Sequence, residues 1–371
     1  MRPSEWIRDF RNRLAGDPKF RSRAEKSKIT QWLANRQARR LFTLCSGFVH
    51  SQVLVACVRL DLPGRLAKGP RSAAELAATT NLPRQRLARL LDAASALDLV
   101  EVRSGGRYAL GPLGAALNDN EGLARLVLHH DALYRDLADP VALVAGSGDA
   151  DNLRRYWAYA DRDRPAETQG DAVIDYSQTM AASQSMIAAQ IVDDVSFRDS
   201  RRLLDIGGGD GTFAIAVARR WPTLQVTVAD LPAVIPLARE NIARAGLAGR
   251  IDTVGLDFLR DTLPTGHDCA TLIRILHDHE DAAVARLLAA TRDAMVPGGR
   301  LLVVEPMAGA DAAGRLVQAY FSVYLLAMGQ GRPRTPAELT ARIEAAGFVN
   351  IRLSSPMSRI VSRVIRADNP A

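Results

Sequence analysis

The chain has 371 residues, 47% of them apolar and 24% charged, a globular composition long enough for two cores. No uninterrupted apolar run reaches 18 residues and no h-region opens the chain, so neither a spanning helix nor a secretory signal is expected, and a cytoplasmic setting is. The net charge of +7 is local: residues 1–40 hold twelve Lys and Arg against four Asp and Glu, which leaves the rest close to neutral.

Residues 1–40 therefore form a basic arm. Trp6, Phe10 and Leu14 recur every four residues with Arg8, Arg11 and Arg13 between them, an amphipathic helical pattern. Such a helix suits docking on a partner subunit or, through residues 1–30, peripheral contact with an anionic membrane; nucleic acid ranks last. Residues 41–120 read as a winged-helix unit. An apolar helix over 41–60 ends near Pro63, and Ser72-Ala-Ala-Glu75 is a capping box. A turn at Asn81-Leu-Pro83 follows, then a helix over 84–97 and a hairpin over 100–110 about Ser104-Gly-Gly. Arg84, Arg86 and Arg89 would serve DNA binding, yet a dimerisation role for the same fold is the preferred reading. Residues 121–198 read as mainly helical, and the stretch over 176–186, with Tyr176, Met180 and Met186, fits a flexible apolar lining or plain core.

From 199 to the end, strand and helix alternate, which predicts a doubly wound α/β sheet. Strands are expected at 202–206, 225–229, 251–254, 269–275, 300–305 and 349–353, with a turn at Pro297-Gly-Gly299 before the fifth. Ligands bind such sheets at the carboxyl ends of the strands. The first strand ends at Asp205 and is followed by Gly207, Gly209 and Gly211 before a helix. That spacing is neither G-x-G-x-x-G nor a phosphate loop, and no basic residue stands nearby. It suits S-adenosyl-L-methionine, with its sulfonium and amino-acid end, better than a polyphosphate. Asp230-Leu231 closes the second strand, where a carboxylate can accept both ribose hydroxyls. Asp257-Phe258 follows the third, an acid for the adenine amine and a ring to stack on it.

The fourth strand delivers His277-Asp278-His279 to the same edge. A neutral imidazole there can act as a general base, and Glu305, closing the fifth strand, can orient it and stabilise the imidazolium. Asp278 and His279 read as surface residues opening the next helix, Asp278 as its cap, which leaves Glu305 as the sole acidic partner unless Asp278 turns inward. Over 316–328, Phe321, Tyr324 and Met328 can line an apolar substrate pocket. No cluster has metal-ligand spacing, and Cys45, Cys57 and Cys269 form no C-x-x-C pair, so neither metal nor disulfide is expected.

The glycine turn, Asp230-Leu-Pro232, Asp257-Phe258 and Leu276-His-Asp278 together resemble the S-adenosylmethionine-dependent small-molecule O-methyltransferases of the plant caffeate and flavonoid type. Phe42, Gly47-Phe48, the run over 51–57, the 176–184 stretch and the basic arm narrow the resemblance to bacterial enzymes of carotenoid biosynthesis, of the hydroxyneurosporene (demethylspheroidene) type. The resemblance implies a winged-helix homodimerisation domain, methyl transfer to a hydroxyl, and an apolar substrate such as a hydroxylated carotenoid. It leaves as rivals a phenol or polyketide substrate, carbon methylation of a tetrapyrrole, and a ligand-sensing DNA-binding regulator. The family's cofactor Lys, four residues before the base, is Ile273 here, so the role passes to Arg274. Its Gly-Lys-Glu-Arg-Thr segment is Gly331-Arg-Pro-Arg-Thr335, in which Pro333 replaces the second Glu.

Overall fold

The computed structural model describes residues 3–17, 19, 28–147, 151–156, 184–354 and 362–371. The chain divides into two units, Met1–Asp119 and Asn120–Ala371.

In the first unit the arm forms a helix, Pro3–Gly16, with Trp6 stacked on Phe10 at 5.4 Å. The apolar helix begins thirteen residues earlier than its hydrophobic run, as Lys28–Arg59. Its portion Ala34–Arg59 is long and apolar enough to cross a membrane by length and composition alone. The run looks interrupted because it contains hydroxyl residues. Thr43 and Ser51 return their hydroxyls to the carbonyls of Arg39 and Gly47 one turn back, so they do not break the helix. Leu41, Phe42, Leu44 and Phe48 on it are all more than two-thirds exposed. Ser72 and Glu75 close the predicted capping box at 3.2 and 2.6 Å and open the helix Ala73–Thr80. The helix Arg84–Ala96 buries Leu87, Leu91 and Ala94, and its Arg84, Arg86 and Arg89 stay exposed. Strands β1 (Arg71–Ser72), β2 (Val100–Arg103) and β3 (Arg107–Leu110) form the wing in the order β1-β3-β2.

The second unit opens with helices Glu121–Asp136, Pro140–Ala145, Asn152–Tyr156 and 184–194. Its sheet comprises β4 (Arg202–Ile206), β5 (Gln225–Asp230), β6 (Ile251–Gly255), β7 (His267–Ile273), β8 (Met295–Glu305), β9 (Val349–Leu353) and β10 (Arg363–Asp368). The order is β6-β5-β4-β7-β8-β10-β9. β4 to β8 run parallel, and β10 inserts antiparallel between β8 and β9. The sequence reading lacked β10. It also placed a turn at 297–299 that lies inside β8, where the pairing jumps from His267↔Met295 to Cys269↔Arg300. The glycines there form a bulge and do not end the strand. Alternate residues of the strands enter opposite cores: Leu203 and Val228 on one face with Phe213 and Val217, Leu204 and Ala229 on the other with Val284 and Leu287. Helices on both faces bury the sheet, so its strand ends are the open edge.

Candidate active site

Three glycines of the turn after β4, Gly207, Gly209 and Gly211, have positive φ, which side-chain-bearing residues adopt only with strain. A Cβ on Gly207 would strike the Ile275 side chain, and one on Gly208 would come within 2.5 Å of the Asp205 carboxylate. Asp205 is buried beneath this turn. One oxygen accepts the Thr271 hydroxyl at 2.7 Å, the other has no hydrogen-bond partner, and burial pushes the carboxyl up to about 7. Asp230, also buried, accepts the amide of Gly209 through Oδ2 at 2.8 Å and that of Leu231 through Oδ1 at 2.7 Å. The end of β5 thereby fixes the glycine turn of β4. Asp257 is buried two residues past β6 and accepts the Leu259 amide at 3.0 Å. The Phe258 ring is buried too and meets His279 edge to face at 5.6 Å.

β7 leaves the sheet through Arg274, whose φ of 57° is left-handed and whose amide donates to the Val304 carbonyl at 2.7 Å. A non-glycine residue in that conformation is uncommon, and such strain gathers at functional sites. The chain then folds into a short 3-10 turn, Leu276–Asp278. Glu305, at the end of β8 and 1% exposed, organises this turn. Its Oε1 accepts the amides of Ile275 and Leu276 at 2.9 and 2.6 Å, and its Oε2 pairs with Nδ1 of His277 at 2.6 Å. His277 is 5% exposed. Burial opposes its charge, but the carboxylates of Asp278 and Glu305 outweigh burial and the Arg274 charge, so its pKa is raised.

Asp278 and His279 do not lie on the surface as predicted. Asp278 turns inward, its Oδ1 3.2 Å from Nε2 of His277, and the following helix, Asp281–Ala294, takes Glu280 as its N-cap. His279 is 4% exposed, and burial drives its pKa down to about 4. The reason lies in a segment whose role the sequence did not reveal. The buried Arg334 donates to the carbonyls of Leu276 and His279 at 2.5 and 2.7 Å and pairs with Asp281, while the Arg332 amide holds the His277 carbonyl at 2.9 Å. These contacts draw residues 276–279 into the protein.

The helix Ala312–Met328 sets Phe321 edge-on to His277 at 5.5 Å, and the Arg274 guanidinium stands 5.8 Å over the Phe321 ring. Tyr324 bonds Nε2 of His129 at 2.6 Å, and Tyr320 bonds Nε2 of His130 at the same distance. Burial lowers the pKa of both histidines, that of His129 to about 4. These two residues also escaped the sequence reading; adjacent histidines on an amphipathic helix, beside Leu126, Val127 and Leu128, are the signal that could have found them. Met328 is buried with Leu133, Leu143 and Leu153. Met186 is half-buried on helix 184–194, and Tyr176 and Met180 lie outside the described residues.

The family described as the O-methyltransferase domain matches residues 135–349, and the O-methyltransferase dimerisation domain matches 42–119. The demethylspheroidene O-methyltransferase of Cereibacter sphaeroides is 38% identical over 359 residues, 97% of this chain and 94% of that protein. The enzyme of the same name from Rhodobacter capsulatus is also 38% identical, over 97% of this chain and 89% of its own length. Among solved structures, human N-acetylserotonin methyltransferase in complex with SAM superposes with a TM-score of 0.74 at 25% identity, covering 90% of this chain and 98% of that one.

Proposed function

The chain belongs to the S-adenosylmethionine-dependent O-methyltransferases, and on that premise we propose that it methylates a hydroxyl of a carotenoid of the demethylspheroidene type, with His277 as general base. The observation that carries the catalytic reading is the His277–Glu305 pair at 2.6 Å on the edge that also bears the glycine turn and Asp230. The substrate reading is supported by the two relatives at 38% identity over nearly the whole chain.

The residues at the strand ends fit the methyl donor. The turn over 207–211 brings bare backbone to the strand ends, with Cβ atoms at Gly207 and Gly208 excluded by Ile275 and Asp205, and Asp230 and Asp257 present carboxylates suited to hydroxyl and amine donors. S-adenosylmethionine, when bound there, supplies a methyl group made electrophilic by its sulfonium. Arg274 takes the place of the family Lys in this reading, with its guanidinium over Phe321.

Because Glu305 holds Nδ1 of His277 as a donor, the ring keeps a lone pair on Nε2. Nε2 removes the hydroxyl proton as the oxygen attacks the methyl, giving a methyl ether, S-adenosylhomocysteine and an imidazolium. Alignment of the reactants can supply about 7–11 kcal/mol, and a positioned base about 10²–10⁴-fold. The wall beside the base is Phe321 with Tyr320 and Tyr324, whose hydroxyls are engaged by His130 and His129, so ring faces rather than free donors meet the substrate. Such a wall suits a polyene.

The first unit, in the same reading, pairs with a second copy through the helix face bearing Leu41, Phe42, Leu44 and Phe48. The protein works in the cytoplasm, with residues 1–30 touching an anionic membrane that dissolves the substrate. Incubation with labelled S-adenosylmethionine and demethylspheroidene, beside panels of phenols and tetrapyrroles, tests the assignment. Label should enter the carotenoid, and His277→Ala should lower turnover about 10²–10⁴-fold. Label in a phenol or tetrapyrrole alone refutes the substrate; near-normal turnover by the variant refutes the base.

A further inference from the structure

We propose that Arg334 is a positioning residue for methyl transfer: it clamps the turn bearing His277 by its backbone carbonyls and so sets where Nε2 stands. The inference rests on reading His277 as the base. That base rides on a turn too short to hold itself. Between the end of β7 at Ile273 and the helix that begins at Asp281 the chain passes through the left-handed Arg274 and one three-residue 3-10 turn. Short 3-10 pieces make poor hydrogen bonds, and the internal ones here are long, 3.2 Å from the Asp278 amide to the Ile275 carbonyl and 3.4 Å from the His279 amide to the Leu276 carbonyl. Glu305 takes the amides of Ile275 and Leu276. The carbonyls of Leu276, His277 and His279 are held from the opposite side, by residues 331–334.

Arg334 is 2% exposed. Its Nη1 donates to the Leu276 carbonyl at 2.5 Å and its Nη2 to the His279 carbonyl at 2.7 Å, so one guanidinium spans the residues on either side of His277. The Arg332 amide takes the His277 carbonyl at 2.9 Å, and Gly331 lies so near that a Cβ on it would overlap the same oxygen. A buried cation is costly unless fully paired, and Asp281 answers this one, accepting Nε and Nη2 at 3.0 and 2.7 Å. The main chain of Arg334 is anchored too, its carbonyl accepting the Ala308 amide at 2.9 Å, three residues past Glu305.

These bonds go to backbone and to Asp281, not to the imidazole, so Arg334 acts on the base through the main chain. The segment also begins close to the end of the helix Ala312–Met328, which sets Phe321 against His277. One short strap thus ties the wall offered to the substrate to the turn that carries the base.

The test is Arg334→Lys, which keeps the charge but cannot fork across two carbonyls and a carboxylate. Transfer of label from S-adenosylmethionine to demethylspheroidene is followed in single turnover, beside cofactor affinity by titration calorimetry. A misplacement of about 1 Å can cost about 10²-fold, so the transfer rate should fall about 10- to 100-fold with cofactor affinity unchanged. The Nδ1 proton resonance of His277 should broaden as the ring loses its fixed place. Arg342→Gln is the control: it takes another cation from Asp281 and, among the described residues, has no bond to the turn. Its rate should stay near wild type even where its melting temperature falls. Gly331→Ala presses on the His277 carbonyl with Arg334 in place; it should slow transfer similarly, and it decides the question if the lysine variant does not fold. A wild-type rate in folded Arg334→Lys, an equal loss in Arg342→Gln, or a loss carried by cofactor affinity overturns the proposal. His277→Ala assayed alongside separates the two readings. If it turns over normally, the base assignment itself fails; if it is inactive while Arg334→Lys transfers at the wild-type rate, only the clamp does.

Discussion

Asp230 uses each oxygen on a different backbone amide, Gly209 on one side and Leu231 on the other, so under the proposed cofactor role a ligand hydroxyl shares an acceptor that already shapes the glycine turn. Asp230→Asn removes the charge and turns one acceptor into a donor aimed at an amide. Affinity for S-adenosylmethionine, measured by titration calorimetry, should fall about 10- to 100-fold, the loss of one or two bonds to a charged group. Glu305 is more constrained still. A glutamine there can keep its carbonyl on the amides of Ile275 and Leu276 only by turning its NH2 toward Nδ1. The ring must then accept at Nδ1 and carry its proton on Nε2, the wrong tautomer for a base. Glu305→Gln should lower kcat by about two to four powers of ten with little change in melting temperature or cofactor affinity. Asp205, Asp230, His277 and Glu305 were legible in the sequence because each closes or follows an apolar strand, so the sheet alone brings them to one edge. The inward turn of Asp278 stayed an open alternative in the sequence, for it depends on Arg334, 56 positions later, pulling on the carbonyls of its neighbours.

At the scale of elements, periodicity carried far. The parallel strands β4, β5 and β7 are short and send apolar residues into both cores, and the hairpin and the capping box of the first unit are local patterns that need no partner to be read. Failure came where tertiary context decides. β10 reads Arg363-Val-Ile-Arg-Ala-Asp368, with charges at three of six positions, and becomes a strand because it inserts between β8 and β9 and buries Val364, Ile365 and Ala367. Pro297-Gly-Gly299 carries a turn signal, yet β7 and β10 pair along the rest of β8 and absorb it as a bulge. The helix Lys28–Arg59 outran its apolar stretch because a polar, arginine-rich segment makes as sound a helix as the part after it.

For the molecule as a whole, charge and exposed apolar surface coincide at one end of the chain. Trp6, Ile7 and Phe10 are about half or more exposed on a helix that also bears Arg8 and Arg13, within the segment that holds the chain's excess positive charge. Basic residues near an anionic surface are worth about 1 kcal/mol each and are screened within a Debye length. Deleting residues 1–30 should abolish co-sedimentation with phosphatidylglycerol vesicles and lower turnover of vesicle-dissolved demethylspheroidene, while turnover of detergent-dispersed substrate stays near normal. Unchanged vesicle binding would retire the membrane role and leave the methyltransferase untouched. An arm of this kind changes the geometry of the encounter. A catalyst held in the plane where a water-insoluble polyene dissolves meets it by lateral diffusion, a search in two dimensions instead of three.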